Sequence, residues 1–254
     1  MQIKSLSVLC LALVGSGVFA QTKAPEPDYT FAYNVGVNTD YRFRGVSQTR
    51  LAPSAFGGID FTHKSGFYLG TWASNIKWIK DLGGKNSNLE LDLYGGYKAA
   101  LGDLGYDVGV LGYIYPSHTG YQPVNPNTTE LYGALTYGLV TAKYSQAVTN
   151  AFGNANSRNS GYLEASATFD LGSGWSLVPH VGHQTIKGNN GGALLANGDA
   201  SYTDYALTVN YDFVNGLVAS ASAIGTDAKR YAYLTPAGRF NGRDSVVLGV
   251  KYSF

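Results

Sequence analysis

The stretch that decides the fold closes the chain: SVVLGVKYSF, residues 245–254. Every second residue, Val246, Leu248, Val250, Tyr252 and Phe254, is large and apolar. Between them lie Ser245, Gly249, Lys251 and Ser253, small or polar, with Val247 the one departure. A period of two sends alternate side chains to opposite faces of an extended strand, so this segment has one apolar face and one wetter face. A soluble edge strand reads the same way, and the rest of the chain has to choose.

The alternation recurs. From Tyr29 the odd positions run Tyr29, Phe31, Tyr33, Val35, Val37, Thr39, Tyr41, Phe43, against Asn34, Asn38, Asp40, Arg42 and Arg44, which reads as one long strand. The same pattern returns at Leu89–Leu93, Leu163–Phe169 and Tyr205–Phe213, each opposed by acidic or hydroxyl residues. Fainter segments fall at 55–61, 67–76, 106–115, 129–137, 140–147, 175–184 and 217–224, giving twelve strands in all. In 67–76 both parities carry aromatics, and the faces stay unassigned.

The connectors carry the sharper signal. Short links near 62–66, 98–105, 138–139, 172–174 and 214–216 alternate with longer polar ones near 44–54, 77–88, 116–128, 148–161, 185–203 and 225–243. A sandwich gives no reason for that asymmetry, whereas a transmembrane barrel has short turns on the periplasmic side and long loops outside. The predicted fold is therefore all-β: a closed transmembrane antiparallel barrel of twelve strands with both termini periplasmic. Closure matters because unpaired backbone N–H and C=O groups in hydrocarbon cost several kcal/mol each. Phe254 then stands at the periplasmic interface, where an aromatic girdle is expected.

At the other end, MQIKSLSVLCLALVGSGVFA (1–20) has a basic Lys4, an apolar run from Leu6 to Val14 and small residues before a cut ahead of Gln21. It reads as a cleaved secretory signal peptide with an apolar run too short to span a bilayer. Residues 21–28 are then a short periplasmic segment and 29–254 the barrel. The only cysteine, Cys10, lies inside the leader, so the mature chain is expected to have neither disulfides nor cysteine-based metal sites or catalysis. The 33 glycines, 20 tyrosines and 11 phenylalanines with 14% charged residues fit an all-β membrane protein. No stretch after the leader approaches 18 consecutive apolar residues, which excludes a helical membrane protein. Without Lys4 the 18 basic residues fall to the same number as the 17 acidic ones, so net charge gives no reason to expect a nucleic-acid partner.

Three stretches, NVGVNTDYRFRGVSQT (34–49), SGFYLGTWASN (65–75) and VVLGVKYSF (246–254), together resemble the TorF family of porin-like outer-membrane proteins of Gram-negative bacteria. The resemblance covers nearly the whole mature chain. It implies a porin-like barrel in the outer membrane and supplies neither a solute nor a catalytic residue. The closing strand ending in Phe254 also resembles the signal by which the barrel-assembly machinery recognises its clients.

If the apolar parity faces lipid, the other parity lines the interior. The expected pore-lining residues are Asp40, Arg42, Arg44, Glu90, Asp92, Asp107, Lys143, Glu164, His180, Asp212 and Lys251. The bland alternative is that these charges only pair with one another, since twelve strands stand between small filled barrels and wide porins. The upper end of the first strand and the long loops hold twelve basic residues against five aspartates, net +7, which leaves −7 for the wall and periplasmic end of the mature chain. Arg50, Lys77, Lys80, Lys85, Arg158, Arg230, Arg239 and Arg243 are the candidates for contact with lipopolysaccharide phosphates. An acidic wall would oppose anions, so the expected function is passive diffusion of small hydrophilic solutes. A weak cation preference would be set by Glu90, Asp92, Asp107 and Glu164.

An enzyme is the weaker reading. His63 lies in a turn, His118 in a loop, and His180 and His183, three apart on one strand, point to opposite faces, so no shared metal is expected. No GxSxG sequence marks a nucleophile, GNNGG (188–192) is not followed by a helix pattern, and NPNTT (125–129) reads as turn chemistry. No catalytic residue, cofactor or metal is expected. The alternatives are a barrel that anchors adhesive or structural loops and, further off, an outer-membrane lipid hydrolase.

Overall fold

The computed structural model describes residues 27–85, 87–120, 124–188 and 197–254. The leader, most of the 21–28 segment and most of the GNNGG stretch lie outside them.

Twelve strands form the wall: β1 (Tyr29–Asn38), β2 (Ser54–His63), β3 (Phe67–Asn75), β4 (Leu89–Leu101), β5 (Leu104–Ile114) and β6 (Thr128–Tyr137) make the first half. The second half is β7 (Val140–Ala147), β8 (Gly161–Ala167, resumed at Phe169–Gly172), β9 (Trp175–Thr185), β10 (Tyr202–Asp212), β11 (Leu217–Thr226) and β12 (Ser245–Ser253). Each pairs antiparallel with its neighbours in sequence, and β12 closes on β1 from Asn34↔Ser253 to Asn38↔Gly249. Tyr33 and Phe254 then exchange backbone hydrogen bonds of 2.9 and 3.0 Å, so no strand is left with an open edge. The last residues of the closing stretch thus complete the ladder with the first strand.

The wall is apolar outside and polar inside. Val37, Leu69, Val246 and Leu248 are 56%, 63%, 68% and 54% exposed, whereas Glu90, Glu130 and Asp204 are 1–2% exposed. In water such a continuous apolar surface would be untenable, and among acyl chains it is the stabilised arrangement. At the short-turn end outward rings gather: Tyr33 lies 5.7 Å from Phe254, Tyr29 5.9 Å from Phe61, and Trp175 4.8 Å from Tyr211. Register also assigns the faces of β3. Trp72 stands opposite Asp92 on the inner side and Tyr68 opposite Gly96, which puts Phe67 and Leu69 outside.

One sequence expectation fails. The first strand does not run on to Phe43 or Arg44; it stops at Asn38. The next residues turn inward as a small hairpin, Arg42–Phe43 paired with Val46–Ser47. The other long connections fold onto it, including a short helix α1 (Trp78–Asp81). The buried apolar residues sit at this end, in the connections and the strand ends beside them: Ile76, Ile79, Tyr113 and Tyr115 form one cluster, Val46, Tyr202 and Ala228 a second, Ala147, Ala151 and Ile186 a third. The barrel is therefore capped at its long-connection end.

Candidate functional site

The inward hairpin is built by Asp40. Its Oδ1 accepts the hydroxyls of Ser47 at 2.6 Å and Thr49 at 2.9 Å, and its Oδ2 accepts Arg42 Nε at 2.5 Å. Those bonds compete with continuation of the ladder and bend the chain off the wall. At the tip Arg44 (φ 47) and Gly45 (φ 78) both adopt the left-handed region between the paired Phe43 and Val46, the two-residue turn whose twist suits a hairpin. Arg42 Nη1 donates to the carbonyls of Gly45 at 2.8 Å, Asn241 at 3.3 Å and Arg243 at 3.0 Å. The Ser47 amide donates to the Asn241 carbonyl at 2.9 Å, which secures the hairpin to the last loop.

The tip reaches across the bore. Arg44 forms a fork with Glu130 of β6 through bonds of 3.0 and 2.7 Å and donates to Gln184 of β9 at 2.6 Å. Its guanidinium lies 4.2 Å from the ring centroid of Tyr162 on β8 and 4.7 Å from that of Phe43. In a ring of twelve strands β6 to β9 stand opposite β1 and β2, so a chain leaving one wall is latched to the other. Burial works against the charged guanidinium, but the Glu130 carboxylate more than offsets it and holds the Arg44 pKa above its usual value. Tyr41 donates its hydroxyl to Glu90 and packs its ring 5.3 Å from that of Trp72. Burial first, and then the Glu90 and Asp92 charges, push that phenol well above its ordinary pKa.

Around this latch the inner wall is acidic. Asp60, Glu90, Asp92, Asp107, Glu130, Glu164 and Asp204 share the inward face with Lys98, Lys143 and Lys251. Tyrosine hydroxyls clasp several carboxylates: Tyr94 with Asp60 at 2.5 Å, Tyr68 with Asp107 at 2.6 Å, Tyr162 with Asp204 at 2.8 Å. His180 Nε2 lies 3.1 Å from Glu164 and its Nδ1 3.5 Å from Asp204, and Lys143 sits over the Tyr132 ring at 4.4 Å.

The sequence-derived set divides accordingly. Glu90, Asp92, Asp107, Lys143, Glu164 and His180 lie on the inner face of strands, and Lys251 shares that face opposite Gly36. Asp40, Arg42 and Arg44 are corrected: they belong to the hairpin inside the bore and not to the wall, because the ladder breaks at Asn38. Asp212 ends β10 on the same parity as Asp204 and Thr208, and its Oδ1 accepts the Val214 amide at 2.7 Å. Among the lipopolysaccharide candidates, Lys80, Lys85, Arg158, Arg230, Arg239 and Arg243 are exposed on the long connections and Lys77 is half-buried. Arg50 is already paired with Asp81. Glu130, Gln184, Asp204 and Tyr162 were missed; the inward parity of Glu130 in a faint strand and of Asp204 beside a clear one was the available signal. His183 faces outward against Thr203, and among the described residues no group of histidines, cysteines and carboxylates could hold a metal.

A closed barrel with an apolar exterior, a charged lumen and an inward loop defines a porin-like transmembrane barrel. The solved structures it resembles include the KdgM porin (TM-score 0.55, 8% identity, 88% of this chain and 99% of that one). The NanC porin follows (0.53, 10%, 89% and 99%), with an outer membrane channel from Pseudomonas putida F1 (0.52, 12%, 93% and 99%). At these identities the likeness is one of fold. The chain itself belongs to the Gcw_chp family, described as a bacterial protein of unknown function, whose family model matches residues 22–254. That match carries no TorF designation, and the sequence matches no curated protein.

Proposed function

We propose that this protein is a diffusion channel of the Gram-negative outer membrane, of the TorF type, admitting small hydrophilic solutes with a weak preference for cations. The leader directs export, and the long connections face outward. Both termini are periplasmic, and the closing strand ending in Phe254 is what the assembly machinery reads. The observation that carries this reading is the acidic inner wall: seven carboxylates at the positions above against three lysines, with the Arg44 latch spent on Glu130. A bore lined by one sign of charge raises the local concentration of the opposite ion. One solved KdgM structure is described as a complex with disordered oligogalacturonate, which supports solute passage through this fold. The acidic wall here disfavours such a polyanion and favours cationic or neutral solutes. The exposed Lys80, Lys85, Arg158, Arg230, Arg239 and Arg243, with Lys77, face the phosphates of lipopolysaccharide.

Single-channel recordings of the refolded protein in a salt gradient test the proposal. The expected result is a small conductance with a reversal potential on the cation-selective side. Anion selectivity, or silence in both the native chain and a variant whose hairpin has been excised, would sink it.

A further inference from the structure

The hairpin is also the floor of a cavity. All six long connections contribute to it, through residues such as Phe43, Trp78, Tyr115, Phe152, Tyr233 and Asn241, and it has a volume of about 190 Å³. It lies at the mouth of the proposed channel, on the long-connection side.

The chemistry of its lining narrows what fits. Aromatic rings dominate, and two of their hydroxyls are already engaged: Tyr233 donates to the Ala200 carbonyl at 2.5 Å, and Tyr115 bonds Glu90. Trp78 and Tyr115 pack edge to face at 5.1 Å, as do Tyr202 and Tyr233 at 5.2 Å. Two buried acceptors on the lining have no protein partner, Asp81 Oδ2 and Asn241 Oδ1. The Asp81 charge is matched by Arg50 on its other oxygen, so the cavity carries no net charge to attract an ion. A purely apolar guest would leave both acceptors unpaired, and a carboxylate would meet them oxygen to oxygen. The guest that satisfies the site has C–H faces for aromatic rings, hydroxyls to donate and no formal charge.

We infer that the vestibule above the hairpin binds a neutral saccharide ring, which stacks on the aromatic wall and donates hydroxyl protons to Asp81 and Asn241. This rests on the channel reading and names the class of solute that the mouth admits first. A pyranose matches the space, whereas a longer oligosaccharide would have to extend out of it.

The test is a titration of Trp78 fluorescence in the refolded full chain, with Trp72 and Trp175 contributing a constant background. The probes are glucose, galactose, N-acetylglucosamine and maltose, set against galacturonate and choline. The expected outcome is a saturable change with at least one neutral sugar, weakened about tenfold or more in Asn241→Leu and abolished in Ala232→Phe, which fills the cavity. Both variants are to be read only where they keep heat-modifiable electrophoretic mobility, the sign of a folded barrel. No saturable response to any neutral sugar, a response unchanged in both folded variants, or tighter binding of galacturonate or choline would overturn the inference. Salt conductance is recorded on the same preparation, so a conducting protein that ignores sugars refutes the vestibule site and leaves the channel standing.

Discussion

Arg44 is the residue on which the inside of the barrel turns. Its side chain is 7% exposed and that of Glu130 3%, so the fork between them lies in a region where a lone charge is expensive. Arg44→Ala would leave Glu130 buried without its partner, and breaking such a pair costs about 3–5 kcal/mol. The expected outcome is a lower urea midpoint in lipid vesicles together with a larger single-channel conductance, because the latch is gone. Arg44→Lys keeps the charge and loses the fork, and should fall between the two. Gly45, beside it, is fixed by two demands at once. Its φ is +78, and an added Cβ would lie 2.7 Å from Asp204 Cβ on β10 and 2.6 Å from Thr226 Cγ2 on β11. Gly102 has φ +62 with nothing within 4 Å, so Gly102→Ala should cost only the left-handed penalty of about 1–2 kcal/mol. Gly45→Ala should cost about 1–3 kcal/mol more for the overpacking. Equal midpoints for the two variants in equilibrium unfolding would show that the hairpin tip does not touch the wall.

At the level of the strand, parity sets what each position tolerates. Leu207 faces outward at 48% exposure, and its successor Thr208 faces the bore, bonded to Ser222 at 2.8 Å. Leu207→Arg places a guanidinium among acyl chains, at about 2–4 kcal/mol near the midplane. Thr208→Arg puts it in the lumen, where it should shift stability by within about 1 kcal/mol and reduce the cation preference. Refolding yield into vesicles and reversal potential separate the two; equal yields would contradict the assignment of faces. The hairpin element obeys a different logic. Arg42–Phe43 and Val46–Ser47 make a ladder too short to stand alone and persist because Asp40, Arg42 and the carbonyls of Asn241 and Arg243 hold both ends.

For the whole molecule, the usual arrangement of a globular protein is reversed: the apolar surface is the exterior, and the buried apolar clusters gather at one end, where the loops close over the strand ends. Replacing residues 41–48 by a short glycine-serine link should therefore leave the cylinder intact and raise the conductance severalfold, while emptying the vestibule of its floor. Loss of heat-modifiable mobility in that variant would mean the hairpin is needed to fold the wall.

How much of this was readable in the chain depends on the range of the interaction. Alternation such as Val246, Leu248, Val250 and Tyr252, with short links alternating with long ones, was enough for twelve strands, the facing of the clearly alternating ones and the closure of last on first, while the faces of β3 waited for the register. That is because side-chain parity and turn length are local properties that the bilayer converts directly into architecture. The same rule misread Thr39 to Phe43, whose alternation continues while its backbone leaves the sheet, since the bonds that bend it involve Ser47, Thr49 and the distant Asn241. Glu130, Gln184 and Tyr162 gather around Arg44 from three different strands, an encounter across a closed cylinder that no spacing along the sequence encodes. The barrel was therefore written in local pattern, and only the tertiary structure decided what crosses its bore, because a latch depends on distance through space between residues far apart in the chain.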